Sequence, residues 1–394
     1  MISVHDIAGV ALREMREIFA DRWTSAALFV VPLAAGLLLT LIYREQVVRA
    51  IPTEVVDLDG TALSLAFRRA LASSESLDVV PAGSGSGDIE HDMRSGLVRC
   101  VVEIPPGFAS EVKRGKSAPV LCTVNGTNIV VTNYALRAVQ TVAATFAGGI
   151  GIQKLEKKSS GAVRAMQQYA PVTLSTRLLY NPGQNYADFF VPGILAALLQ
   201  QVVVAGAALT WAREFQTGRI RQLLAGHRSL ASVIAGKTLV YVAVGWAWGV
   251  VFFAGLFALA GVPFRGSAAA GAVALTLMLA GMAMVAMLVS SMVSKPENAM
   301  PIVFIISSPA FLLSGYTFPQ MAMVPLVRCA GELIPLTPFL IAWRRIVLYG
   351  AGTGDILPQI LAMSVEALLL LAVMALIVRR RLTRMAPVAE GTGP

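Results

Sequence analysis

The sequence predicts an α-helical polytopic membrane protein with six transmembrane helices and an extracytoplasmic α/β domain inserted between helices 1 and 2. Three observations predict it. Of 394 residues, 56% are hydrophobic and only 14% charged, whereas soluble domains carry about a quarter charged residues. Six apolar segments, at 24–43, 187–211, 237–261, 268–293, 299–316 and 357–378, are close to or above the roughly 20 residues that cross a hydrocarbon core. The first two are separated by about 140 mostly polar residues, enough for a folded domain.

Residues 1–23 place Val4, Ile7, Ala8, Ala11, Met15, Ile18 and Phe19 at helical spacing with charges opposite. This is the pattern of an amphipathic helix lying on the membrane surface. No cleavable signal peptide precedes the first span at 24–43, which is long enough to cross. In the domain at 44–186, TEVVDLD (53–59), GLVRCVVEIP (96–105) and APVLCTVNG (118–126) read as strands bounded by Pro and Gly. Residues 61–73 and about 129–158 read as helices, and GSGSG at 83–87 as a flexible loop. Cys100 and Cys122 both fall in these strands and are candidates for a disulfide in an oxidising compartment, although spacing alone does not pair them. Asn125-Gly126-Thr127 fits a glycosylation sequon, a pattern short enough to recur by chance.

Residues 187–378 hold helices 2–6. They include a basic cytoplasmic loop at 212–236 and a stretch at 317–350 whose Pro319, Pro325, Pro335 and Pro338 exclude one straight helix. Short helices dipping into the outer leaflet fit that stretch, and Pro301 and Pro309 interrupt the fifth span. Orientation follows from Lys and Arg in the short loops. With the N-terminus inside, Arg13, Arg16, Arg22, Arg213, Arg219, Arg221, Arg228, Lys237, Lys295, Arg379, Arg380, Arg381 and Arg384 are cytoplasmic, and Arg265, Arg328, Arg344 and Arg345 lie outside. Both termini, including the tail at 379–394, are then cytoplasmic, and the large domain is not.

Two stretches imitate catalytic loops. VVDLDGTAL (55–63) is similar to the nucleophile motif of haloacid-dehalogenase-like phosphatases. Such an enzyme needs a downstream Lys and further acids for magnesium. The candidate acids, Asp88 and Asp92, lie in GDIEHD (87–92), which only 25 residues separate from Thr61, with no Lys between. Asp57 and Asp59 therefore read as the end of the first strand and the cap of the first helix. ASVIAGKT (231–238) fits a permissive phosphate loop, but no strand precedes it and it runs directly into the third span. Lys237 reads instead as a charge snorkelling at a helix end. Three histidines and three cysteines, with no CxxC or HExxH spacing, give no metal site. Glu366 in the last span, and Gln200 and Gln201 in the second, are polar groups at membrane depth. They are candidates for a translocation path or for contacts between helices.

The order of these features resembles the permease subunit of type-2 ABC exporters, in the bacterial drug-exporter-like branch, over nearly the whole chain. The resemblance rests on the DxD with Ser64, IPPGF (104–108), YNP (180–182), VPG (191–193), Arg213-Glu214, Gly218, QLL (222–224), Gly236-Lys237, LSGYTFP (313–319) and LIPLTPF (333–339). The inner loop departs from it. Relatives show a second acid, Gly-Thr-x-Glu and a later Pro, where this chain has Gln216, Gly218-Arg219, Arg221 and His227. The resemblance implies a homo- or heterodimeric permease in the bacterial inner membrane that moves a drug-like, lipid-like or metabolite substrate outward. ATP and Mg are expected on separate cytoplasmic ATP-binding subunits, so this chain itself has no cofactor and is not an enzyme. Arg213, Glu214, Gly218, Arg219, Arg221 and Arg228 are the expected coupling residues. Membrane lipids and a periplasmic adaptor protein are further candidate partners; nucleic acid is not. A membrane-anchored receptor or scaffold and an ion-driven secondary transporter are the alternatives.

Overall fold

The computed structural model describes residues 3–44, 48–80, 89–157, 179–225 and 229–384. The chain forms two compact units, Met1–Gln46 with Leu178–Pro394, and Val47–Arg177.

The first unit begins with helix α1 (Val4–Ala20), whose buried residues are Val10, Glu14 and Ile18. They recur every four positions, so they form one stripe of the helix. The sequence reading placed all charges opposite the apolar stripe; the structure puts Glu14 within it, for a reason given below. Helix α2 (Arg22–Ile42) contains Pro32, and its Thr24–Ile42 portion is long and apolar enough to span.

The Val47–Arg177 unit follows as β1 (Ile51–Asp57), α3 (Ala62–Ala72), β2 (Leu77–Val79), α4 (Ile89–Ser95), β3 (Cys100–Ile104), α5 (Phe108–Arg114), β4 (Leu121–Val124) and α6 (Ile129–Lys157). The sheet order is β2-β1-β3-β4, with β1 parallel to both neighbours and β4 antiparallel to β3. Parallel neighbours need crossover connections, and α3 and α4 lie in these. The core joins Ile51, Val55, Phe67, Leu71, Val102, Ile104 and Phe108 to Ala135 and Val139 of α6. The three sequence-read strands are β1, β3 and β4. Three-residue β2 and the seven-residue helices α4 and α5 are additions.

The chain returns to the first unit with α7 (Tyr186–Ala207), α8 (Thr210–Gln216), α9 (Arg219–Ala225), α10 (Leu230–Ala260) and α11 (Ala268–Met292). After them come α12 (Pro296–Ser307), α13 (Ala310–Leu313), α14 (Pro325–Glu332), α15 (Leu336–Tyr349) and α16 (Leu357–Arg384). Among the described residues, six helical stretches are long and apolar enough to cross a membrane, or seven if α14 and α15, bent by 81° on each other, form one broken span. This matches the sequence reading: prolines break 317–350 into short helices, and Pro309 separates α12 from α13. Within α10, Val251–Leu256 form a π turn, in which the Phe257 N–H bonds Phe252 O. Helix α11 packs against α16, α10, α7 and α15. Helix α16 buries only Met363, Met374 and Val378.

Candidate functional site

Of the residues expected from sequence, Arg213, Glu214 and Arg219 lie together where α1 meets the first turns of α10. Ser229 caps α10 by accepting the Ser232 N–H, so Ala231–Thr238 form its first two turns. From Val233 onward their backbone N–H groups enter helix hydrogen bonds, and Ser229 takes that of Ser232, so they do not form a phosphate-wrapping loop. Gly236 allows the close approach of α1: a Cβ there would stand 2.8 Å from both the Ile7 carbonyl oxygen and Val10 Cβ.

One residue on, Lys237 is 1% exposed. Its Nζ lies 2.6 Å from Glu14 Oε2 and 3.2 Å from Glu214 Oε1, and 5.9 Å from the Trp211 ring centre. The snorkelling reading of Lys237 is therefore corrected. α1 lies across the end of α10 and brings Glu14 to the ammonium, so the charge is paired inside the protein. The other Glu14 oxygen accepts from Tyr241 Oη (2.7 Å) and Thr210 Oγ1 (2.9 Å). Burial pushes the Glu14 carboxyl up, but the Lys237 charge and these hydrogen bonds outweigh it and hold it below the usual carboxylate range. Arg13 approaches Glu214 Oε1 at 3.5 Å, so two cations face two carboxylates. At the rim Arg13 and Arg219 flank Glu17 at 3.1 and 3.6 Å, and Arg213 pairs with Asp21 at 3.5 Å. Carboxylate oxygens of Glu14, Glu17 and Glu214 come within 4.8 Å of one another, close enough to share a cation; the Lys237 ammonium occupies that role for two of them.

The surrounding helix ends are tied to the same place. Ser290 Oγ accepts the Trp211 and Ala212 N–H groups (3.1 and 3.0 Å) where α7 bends into α8. These are first-turn donors with no partner inside their own helix. Arg381 of α16 donates to the Ser291 and Val293 carbonyls (2.7 and 2.8 Å), closing the C-terminus of α11. Its guanidinium also stacks 4.2 Å from the Phe215 ring. Gly218, at φ +68°, turns α8 into α9, which carries Arg219 and Arg221. Arg228 and His227 lie outside the described residues.

The other expected residues lie elsewhere. Gln200 Nε2 donates to the Ser307 carbonyl (3.0 Å), and Ser307 Oγ donates to Gln201 Oε1 (2.9 Å). Both glutamines thus join α7 to α12 just before its proline break. Glu366 is half-buried on α16, and its Oε2 finds no hydrogen-bond partner among the described residues. It is not bonded to either glutamine. Cys100 and Cys122 are free thiols whose sulfurs stand 3.7 Å apart across β3 and β4. The contact with Cys122, with burial, pushes the Cys100 thiol up; the same contact holds Cys122 down.

Asp57 and Asp59 serve folding, with one correction. Asp57 Oδ1 accepts the Asp59 and Gly60 N–H groups (both 3.0 Å), and its Oδ2 accepts Ser64 Oγ (2.7 Å). Helix α3 is capped by Thr61, in a reciprocal box with Ser64. Asp59 instead reaches the IPPGF turn, accepting the Gly107 and Ala109 N–H groups (2.8 and 3.1 Å) at the start of α5. The DxD and IPPGF patterns are thus two halves of one contact. GSGSG and Asp88 lie outside the described residues.

The fold, with its helices long and apolar enough to span, defines a polytopic helical membrane protein. The chain belongs to the ABC-2 family of transporter proteins, whose family model matches residues 22–376. It is similar to YbhS of Escherichia coli K12, described as a probable multidrug ABC transporter permease, at 22% identity over 97% of this chain and 99% of that protein. YbhR of the same organism, under the same description, is 23% identical over 88% of this chain and 91% of its own length. YhhJ, described as an inner membrane transport permease, is 21% identical over 92% and 94%.

Proposed function

We propose that this chain is the membrane-spanning subunit of an ATP-driven exporter in a bacterial inner membrane. Two permease copies form the path, and separate cytoplasmic subunits bind and hydrolyse ATP. Both termini are cytoplasmic, and the Val47–Arg177 unit is on the outer side. The multidrug naming of YbhS and YbhR supports a drug-like substrate expelled from the cytoplasm or inner leaflet by alternating access.

The observation that carries this reading is the Lys237 cluster. It locks α1, α8 and α10 together beside the basic segment Arg213–Arg221. A push on that segment cannot move it alone, because Glu214 and Lys237 are buried partners and separating them leaves uncompensated charge. The displacement passes to α1 and α10 and shifts the population of span arrangements.

The test is co-reconstitution with the partner ATPase in proteoliposomes, comparing wild type with an apolar triple, Glu14→Leu, Glu214→Leu and Lys237→Met. Replacing a whole buried ion cluster by apolar groups is tolerated by folding, so the triple isolates coupling. Transport per ATP hydrolysed is expected to fall about fivefold or more. Undiminished transport from a folded triple sinks the proposal.

A further inference from the structure

A second cluster of cations in the membrane unit is built differently from the Lys237 cluster. Arg344 and Arg345 lie in the last two turns of α15 and line one cleft of ≈ 210 Å³ together with Ser314, Tyr316, Leu340 and Tyr349. The Arg344 guanidinium lies 4.2 Å from the Tyr316 ring centre and 5.3 Å from that of Phe189. One of its N–H groups donates to the Tyr316 carbonyl at 2.8 Å. Its Nε is buried with no partner among the described residues. Arg345 donates to the Asp355 backbone carbonyl at 3.2 Å.

The aromatic seat holds Arg344 in place. Tyr316 stacks on Phe189 (5.5 Å) and donates its hydroxyl to the Phe189 carbonyl (2.6 Å). Gly193 of α7 admits the Tyr316 ring, for a Cβ there would fall 2.3 Å from it. Two helices, α7 and α15, and the bend after α13 that carries Tyr316 thus cooperate to fix one guanidinium beside a cleft. No carboxylate lies within ion-pair distance of either arginine among the described residues, and none lines the cleft. By contrast Lys237, Arg13, Arg213 and Arg219 each face a carboxylate. The buried Arg344 Nε has no acceptor, and a buried guanidinium donor without a partner is costly unless an anion or water compensates it. Planar guanidinium forks suit phosphate and carboxylate oxygens. Exposed Leu312 and Phe318, close in sequence to Tyr316, offer apolar surface for an attached chain.

The geometry points to a binding site in this cleft for an anionic amphiphile, a phosphate or carboxylate group carried on an apolar chain, with Arg344 and Arg345 holding the anion. The site goes beyond the coupling reading and stands whether or not ATP drives transport. Two sources share the chemistry: an anionic lipid and a soluble amphiphile.

The test uses the full chain in phosphatidylcholine nanodiscs, titrated with dodecyl phosphate and read by native mass spectrometry. Removing one charge-assisted contact weakens binding about tenfold, so Arg344→Gln is expected to show that loss. Arg345→Glu reverses the charge of the cleft while leaving the aromatic seat intact, so it keeps the test decisive if Arg344→Gln misfolds; it is expected to abolish binding. Selective retention of phosphatidylglycerol by wild type but not by the variants identifies the lipid source. Binding of dodecyl phosphate without such retention identifies the soluble one. Both outcomes support the site. Equal binding by wild type and both variants overturns it, as does equal affinity for dodecyl maltoside or full competition by inorganic phosphate.

Discussion

In the Val47–Arg177 unit, the DLDGT segment holds its two carboxylates with backbone N–H groups and hydroxyls at a part-exposed turn. In the membrane unit, the AGKT segment holds an ammonium against Glu14 and Glu214 with 1% of Lys237 exposed. Both stretches imitate a catalytic loop, and both are structural, but they differ in where the compensation comes from. Backbone donors belong to the fold itself and survive most substitutions. A buried full charge depends on partners from remote segments, here Glu14 at a separation of 223 residues. Removing one partner therefore leaves a bare charge in a dry site.

That difference sets the size of the expected effects. Lys237→Met alone strands Glu14 and Glu214 and is expected to cost about 3–5 kcal/mol, read as thermal unfolding of the purified chain. If the single variant is as stable as the apolar triple, the two clusters do not differ as argued. Next in size is the Cys100–Cys122 pair. A disulfide oxidant such as glutathione disulfide is expected to close it: the less basic Cys122 attacks its S–S bond, releasing one glutathione thiolate, and Cys100 then displaces the second. The loop spans 22 residues, for which chain entropy gives about 3 kcal/mol of stabilisation. Loss of maleimide labelling at both cysteines after unfolding in denaturant, restored by reductant, checks this, and labelling that survives oxidation refutes it. In intact cells the same assay sharpens the compartment assignment, since the cytoplasm keeps thiols reduced.

Gly236→Ala forces α1 off α10 at a backbone contact, and overpacking of this kind costs about 1–3 kcal/mol. Unchanged stability would show that α1 is not held tightly. Smallest is Asp59→Asn. Bonding to Thr61, then to the α5 backbone, holds the Asp59 carboxyl below its ordinary value; for Asp57, hydrogen bonds from Ser64 and the turn outweigh a raising effect of burial. With folded values depressed, their contribution is present above the unfolded pKa near 4 and is lost as pH falls through the lower folded values. Asp59→Asn is expected to flatten this acid-side loss in pH-dependent thermal unfolding. A variant whose acid profile matches wild type would remove Asp59 from the account.

Span positions were legible because each is a local run: 24–43 was read where Thr24–Ile42 forms, and 268–293 where Ala268–Met292 forms. The breaks at Pro309 and within 317–350 were legible for the same reason. Glu14 was not, because an amphipathic reading assigns every carboxylate to the wet face, and its partner is supplied by Lys237 across the chain. Asp59 was read as the cap of the nearest helix. Its true partner, the Gly107 N–H just before α5, lies 48 residues later, beyond the reach of local pattern. The short α4, α5 and β2 lack the length to show a period. Of the site, Arg213, Glu214, Gly218 and Arg219 were legible from the loop motif. Arg13, Glu17 and Tyr241, which complete it, lay in segments that read as ordinary surface or span.

The π turn at Val251–Leu256 takes up one more residue than an α turn. Before it, Lys237 and Tyr241 face Glu14; after it, Phe257 faces the bundle core. Deleting one residue there converts the π turn to an α turn and leaves both registers in place. α10 thus contains a splice point: a membrane helix whose two ends are independently constrained can still change length by one residue between them. Elsewhere in the same helix, a one-residue change would rotate every later side chain by about 100°.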